Sequence, residues 1–421
     1  MTSLLWSRIP HPASRVLLAA AACVLTACGR PAPAPRSWRQ AEFLIGLREA
    51  PPAEPRHYAR VAKAGFRVIV SYVGPDALPL ARRYGLKLAV AKIGLDPQTL
   101  AREDGEALAA GHFRRFGDHP ALWGYDLGEQ LPENRIDDVA AVADWLRRRA
   151  PGRPFFVDLL GCDAWAGPAL RTADYARYLD RALRAVAPPL LAFRHEPFPA
   201  EGDSPFYFEN LELARAAAAA HRVPFVQAIR CGQWPGLRPL GEGELRWLVY
   251  TSLAYGARGV VWRGYWQARD GQGRGIVGPD GRPTPCYDRV AALNRELAVL
   301  GPYLMELRSA AVYHAGEEVP AGARRLAPHG LIGGVKDGAF VIGLFDSGEE
   351  DRRHVLVVNG DYRQAATAAL TVNHACRAVA WLDPAANRWR NLPVEADPLQ
   401  SRFDLPLPPG SGKLLRLYLA N

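Results

Sequence analysis

The sequence contains no CxxC or CxxH pair, so the ligand spacing of a structural zinc site is missing. Nothing else in the placement of His, Cys, Asp and Glu calls for a metal or a cofactor. Beyond the first 28 residues no run is long and apolar enough to cross a bilayer. No basic block is interleaved with aromatic residues. The formal charge of +9 comes from scattered arginines and reads as background composition, which argues against a nucleic-acid partner. No internal repeat stands out, and the Ala216–Ala220 run is only a helix-forming tract.

What is present is the composition of an ordinary globular protein, 49% hydrophobic and 23% charged over 421 residues. That length holds one large domain and a smaller one. Residues 1–28 read as a targeting segment, with Arg8 and Arg15 in a basic head and Val16 to Ala27 as a short apolar stretch. Leu25-Thr26-Ala27-Cys28 resembles a bacterial lipobox, which implies lipidation at Cys28. Gly29 follows in place of the aspartate that retains lipoproteins in the inner membrane, so an outer-membrane anchor facing periplasm or surface is expected. Residues 29–40 form a Pro/Ala tether. Of the later cysteines, Cys162, Cys231, Cys286 and Cys376 allow three complete pairings. Cys231 and Cys286 fall in neighbouring loops and are the preferred pair.

Residues 41–308 alternate short apolar runs with helical patterns eight times. The strand candidates are Phe43–Arg48, Arg67–Tyr72, Lys87–Ile93, Leu122–Gly128, Pro154–Leu160, Leu190–His195, Pro224–Arg230 and Gly259–Tyr265. Helical stretches lie between them at Ile136–Arg149, Thr172–Ala187, Glu209–His221 and Glu244–Tyr255. Eight βα units over about 260 residues predict a closed (β/α)8 barrel. From 309 to 421, short strands separated by Gly, Pro, Asp and Asn turns predict a small β-sandwich.

The chemistry is expected around HPALWGYDLGEQLP, His119 to Pro132. Trp123, Tyr125 and Leu127 alternate with Gly124, Asp126 and Gly128, so the bulky set should pack outward and the small set inward. Glu129 and Gln130 fall where the strand ends, at the rim that carries catalysis in such barrels. The stretch resembles the fourth strand of bacterial barrels related to glycoside hydrolase clan A, which typically read HPAL-x-GY-x-L-x-DEP. AGFRVIVSY, FRHEPFP, VPFVQAI and ELRWLVYTSLAYGARGVVWRGYW are similar to the second, sixth, seventh and eighth strands of that family.

The resemblance implies a β-galactosidase-like hydrolase acting on a carbohydrate with two glutamates, at the ends of strands four and seven. Glu129 is the candidate general acid/base. Strand seven carries no carboxylate, so Glu196 and Asp126 are the candidate partners. Gln130 stands where the family has its glutamate, and Arg194 where it has an aspartate. Either Glu129 and Glu196 have taken over hydrolysis from nearby positions, or the barrel only binds glycans.

By alternation Arg48, Lys92, Arg194 and Arg263 point inward beside Asp126, Asp158 and Glu196. The ligand is then an acidic sugar gripped by arginine, or the charges satisfy one another as a core network. Gln130, His195, Gln227, Trp234 and Trp266 complete the candidate binding set. Trp165, Tyr207 and Tyr265 are further rim aromatics suited to stacking on sugar faces, with Trp234 the one expected to be exposed. His195 and His221 read as a supporting residue and a helix end.

Overall fold

The computed structural model describes residues 38–420 except 50, 73, 92–95, 162, 164–168, 233 and 267–274. Eight parallel strands close into a barrel. They are β1 Leu44–Arg48, β2 Val68–Ser71, β3 Lys87–Ala91, β4 Leu122–Glu129, β5 Phe155–Leu160, β6 Leu191–Arg194, β7 Phe225–Arg230 and β8 Gly259–Arg263. Hydrogen bonding between β1 and β8 completes the ring, with Arg48 opposite Arg263.

Helices α1 Pro55–Lys63, α2 Ala77–Arg83, α3 Pro97–Leu100, α4 Gly105–Phe116, α5 Ile136–Arg149, α6 Tyr175–Val186, α7 Tyr207–His221, α8 Glu242–Ala254 and α9 Pro285–Glu306 cover the barrel. Their ends follow local chemistry. Asp174 caps α6 by accepting from the Arg177 N–H at 3.0 Å, so the helix starts three residues later than the apolar pattern suggests. Tyr175, Tyr178, Leu179, Ala182, Leu183 and Val186 then form its buried stripe. Helix α5 has Asp137 and Asp138 in its first turn and Arg147 to Arg149 in its last, matching the helix dipole.

Side-chain alternation divides the barrel into two cores. Leu44, Val68, Val70, Ala89, Phe156, Ala192, Val226 and Val261 fill the lower interior. Ile45, Leu88, Val90, Tyr125, Phe193, Ile229 and Trp262 face the helices. Trp123 departs from the expected outward direction. Register between β3 and β4 shifts between the Leu88 and Ala89 pairings, and this bulge turns Trp123 into the lower core against Trp38 and Phe156.

The C-terminal unit is an antiparallel sandwich. Strands β9 Arg308–Ala315, β11 Phe340–Asp346, β12 Arg352–Asn359, β14 Cys376–Asp383, β15 Arg388–Asn391 and β18 Gly412–Leu419 make one sheet. Strands β10 Ile332–Lys336, β13 Ala366–Val372, β16 Glu395–Ala396 and β17 Ser401–Leu407 make the other. The outer face of the larger sheet is apolar, and Val341, Phe345, Leu356, Val358 and Leu414 join the helix-layer core of the barrel. Gly343 permits this docking, because a Cβ there would stand 2.4 Å from the Ala254 carbonyl oxygen.

Candidate active site

The upper end of the barrel interior is charged where the lower end is apolar. Arg48 ends β1, Asp126 lies on β4 and Glu129 ends it, Asp158 lies on β5, Arg194 ends β6, Arg230 ends β7 and Arg263 ends β8. Glu196 follows β6 by two residues. Arg48, Asp126, Asp158, Arg194, Glu196 and Arg230 are all buried.

A second irregularity in β4 puts two carboxylates on one face. Asp126 pairs with Phe156 and Glu129 with Asp158, so β4 spends one residue more than β5 over that interval. Gly128 takes up the bulge at φ 119°, and its N–H donates to Asp126 Oδ1 at 3.1 Å. Strict alternation would point Glu129 outward with Tyr125. The bulge brings it inward beside Asp126.

The charges interlock. Arg48 binds Asp126, and reaches Glu129 at 3.0 Å and Asp158 at 3.3 Å. Arg194 reaches Glu129 at 2.7 Å and Asp158 at 3.6 Å. Arg230 Nε lies 3.1 Å from Glu196, and its terminal nitrogens donate to the carbonyls of Gly232, Arg238 and Phe198. Arg263 spans the two glutamates, 3.4 Å from Glu129 and 3.4 Å from Glu196. It also reaches Glu49 at 3.7 Å.

These surroundings separate the carboxyl groups. Burial raises the proton affinity of Glu129, but the guanidinium charges of Arg48, Arg263 and Arg194 outweigh it and hold the carboxyl below its ordinary range. Burial dominates at Glu196, so its carboxyl is raised despite Arg230, Arg263 and Arg194. Asp126 is pushed up to about 6 by burial, which Arg48 only partly offsets. Glu49 is raised for the same reason, with Arg263 opposing.

Of the residues singled out in the sequence, Glu129, Glu196, Asp126, Arg48, Asp158, Arg194 and Arg263 come together here. Gln130 sits on the exposed edge at φ 54°, its N–H donating to the Asp158 carbonyl at 3.0 Å, with no side-chain place in the network. His195 lies behind it, facing Ser204 at 3.0 Å and Asn210 at 3.2 Å, and burial lowers its pKa to about 4. His221 ends α7 and faces Asp180 at 2.9 Å. Lys92, Cys162 and Trp165 lie outside the described residues.

Several expectations are corrected. Gln227 is fully buried and shares its direction with Phe225 and Ile229, toward the helix layer rather than the barrel axis. Tyr207 is buried against Trp247, and Tyr265 is buried with its hydroxyl 2.8 Å from His57, so neither offers a face to a sugar. Trp266 packs edge-on against His57. Trp234 is half-buried, with the Arg263 guanidinium 5.7 Å from its ring centre. Cys231 and Cys286 are neighbours but unbonded. Both thiols are free, the Cys286 thiol donating to the Cys231 carbonyl at 2.6 Å.

The sequence reading missed Arg230 and Glu49. Arg230 shares the inward parity of Val226 and Ala228, which was the available signal. Glu49 lies beyond the end of β1 in a left-handed conformation, φ 67°, which no periodicity shows. Among the described residues no cluster of His, Cys, Asp and Glu could hold a metal ion.

No family profile matches the sequence. No curated protein matches it either. Solved structures do resemble it in fold. A glycoside hydrolase superposes over 90% of this chain and 93% of its own, at 12% identity and a TM-score of 0.57. A β-galactosidase from the psychrophilic Marinomonas ef1 matches 64% of this chain, which spans only 63% of that enzyme, at 14% identity and a TM-score of 0.47. A maltogenic α-amylase from Thermotoga neapolitana matches 90% of this chain and 99% of its own, at 8% identity and a TM-score of 0.47. At such identities the likeness is one of architecture. What this chain shares with glycoside hydrolases is the (β/α)8 barrel.

Proposed function

We propose that this chain acts on a carbohydrate at the charged mouth of the barrel, hydrolysing an O-glycosidic bond with Glu129 and Glu196. The observation that supports this is the arrangement of those two carboxyl groups about Arg263. Both touch one guanidinium, which bounds their nearest oxygens to within ~9 Å, below the upper limit of ~9.5 Å for carboxyl pairs in glycosidases. Their proton affinities are pushed in opposite directions, the condition for dividing acid and base roles. Glu129, kept ionised, is the nucleophile or base. Glu196, which retains its proton to higher pH, is the acid that protonates the leaving oxygen as the C1–O bond breaks. This exchanges the role that Glu129 has in the clan A resemblance. Asp126 supports from below as the partner of Arg48.

A second reading, binding without hydrolysis, is favoured by Arg230. It stands at the end of β7, where the resemblance implies a catalytic glutamate, and it is tied to Glu196 and three carbonyls. An acidic ligand has narrower support, because the buried arginines already face carboxylates. The observation in its favour is Arg194, whose Nε and one terminal nitrogen have no hydrogen-bond partner among the described residues.

The deciding experiment screens the segment from Ser37 onward against neutral and acidic aryl glycosides and envelope polysaccharides. Turnover that disappears in both Glu129→Gln and Glu196→Gln supports hydrolysis. Saturable binding without turnover supports the second reading. The proposal also places the protein in a bacterial envelope, lipidated at Cys28 and held at the outer membrane. Labelled palmitate that Cys28→Ala still incorporates would overturn that part.

A further inference from the structure

The barrel has a strongly basic end, opposite the mouth. Strands begin there and helices finish there, so the residues that open strands and close helices share one surface. Arg67 immediately precedes the second strand and Lys87 opens the third, both exposed. Lys63 closes α1, Arg82 and Arg83 close α2, and Arg148 lies in the last turn of α5. None of these six cations has an ion-pair partner among the described residues. The four in helix last turns each complement their own helix dipole, but all six together sum to one field.

Two adjoining clefts lie at this end, one of them lined by Arg67 and Lys87. Trp38, Arg39, Arg67, Lys87 and Arg153 line one, and Trp38, Arg39, Arg222 and Arg258 line the other. Glu42 is the single carboxylate lining either. Trp38 is anchored here by its backbone N–H, which donates to the Pro151 carbonyl at 3.0 Å, and by its ring against Trp123.

We infer that this basic end is a docking surface for anionic phospholipid headgroups. Charge complementarity carries the assignment, since clustered Lys and Arg near a bilayer are drawn to acidic lipids over about a Debye length. The position of Trp38 agrees with it. The inference rests on the lipid-anchor reading, in which Trp38, at this end, follows the anchored Cys28 by only ten residues. The arginine surplus that composition alone left as background thereby has a place and a partner.

The test uses the segment Ser37–Asn421, which is a compact unit by its contacts and carries no lipid, so the result does not depend on acylation. Its binding to vesicles rich in phosphatidylglycerol is compared with binding to pure phosphatidylcholine vesicles, at low and high salt. The expected result is salt-sensitive binding to the anionic vesicles only, weakened roughly tenfold or more in Arg67→Gln/Arg83→Gln/Lys87→Gln. A control with equal charge removed from the sandwich, Lys336→Gln/Arg363→Gln/Arg402→Gln, should bind like the parent. Equal loss in the control would reduce the effect to net charge and overturn the inference. So would absence of binding to anionic vesicles, or retention on a soluble polyanion such as heparin without any on the vesicles.

Discussion

Arg230 Nε lies 3.1 Å from Glu196 Oε2, with the two side chains 1% and 8% exposed. Strand seven thus presents a cation at the site where a two-glutamate barrel would present an anion, and the carboxylate that answers it comes from the end of strand six. Removing one member of so buried a pair leaves the other charge unmatched. Arg230→Met should therefore cost about 3–5 kcal/mol, and Arg230→Met/Glu196→Met should recover a substantial part of it. Urea denaturation of the parent, both single variants and the double variant measures the coupling. Additive losses would mean that the pair is not a unit.

Arg263 lowers the proton affinity of both glutamates it touches, so its removal should move both in the same direction. In Arg263→Gln the Glu129 carboxyl rises, and activity on the acid side is lost at higher pH. Glu196 rises too, and the alkaline limb follows. The whole profile should shift upward by roughly one pH unit. For a barrel that only binds sugars, the profile to follow is affinity against pH. An unmoved profile would sever Arg263 from both carboxyl groups.

The sequence carried the barrel because the period of two and the period of 3.6 recur eight times in order, and a single mistaken strand edge does not disturb that rhythm. It also carried the inward direction of Arg48, Asp158, Arg194 and Arg263, each on a regularly alternating strand. It failed where alternation breaks. The bulge beside Ala89 turned Trp123 inward, and the one at Gly128 placed Glu129 and Asp126 on a common face. Gln227 was misplaced for a different reason. A buried amide on a strand reads as a ligand group when the strand is taken to line a pocket, but its parity belongs to the helix side. The sugar-stacking role given to Tyr207 and Tyr265 failed because aromatic residues near a rim serve equally well as packing.

Asp126 sets a pH dependence of stability. Its folded carboxyl is raised to about 6, above an unfolded value near 4. The folded state therefore holds the proton more tightly, and this group's contribution is fully present below pH ~4 and is lost as pH rises through ~6. The difference between parent and Asp126→Asn should change over that window and be flat above it. Urea midpoints of the two proteins at several pH values from 4 to 8 measure this, and a difference independent of pH would refute the raised carboxyl.

The thiols of Cys231 and Cys286 should remain separate in the folded protein even under oxidising conditions. The Cys231 thiol donates to the carbonyls of Arg263 at 3.0 Å and Gly264 at 3.4 Å, and that of Cys286 to the Cys231 carbonyl. Burial raises Cys231 well above the ordinary thiol range and pushes Cys286 up to about 11. Disulfide formation by exchange needs a thiolate on an accessible sulfur, and neither group supplies one near neutral pH. Alkylation of the native protein with iodoacetamide should thus be slow at both positions and become fast in urea, with mass spectrometry locating the label. A peptide cross-linked between Cys231 and Cys286 in the native, oxidised protein would show instead that the pairing expected from their neighbouring loops is real. Because Cys231 follows Arg230 directly, that bond would also fix the strand-seven end against the first turn of α9, and the Arg230–Glu196 contact with it.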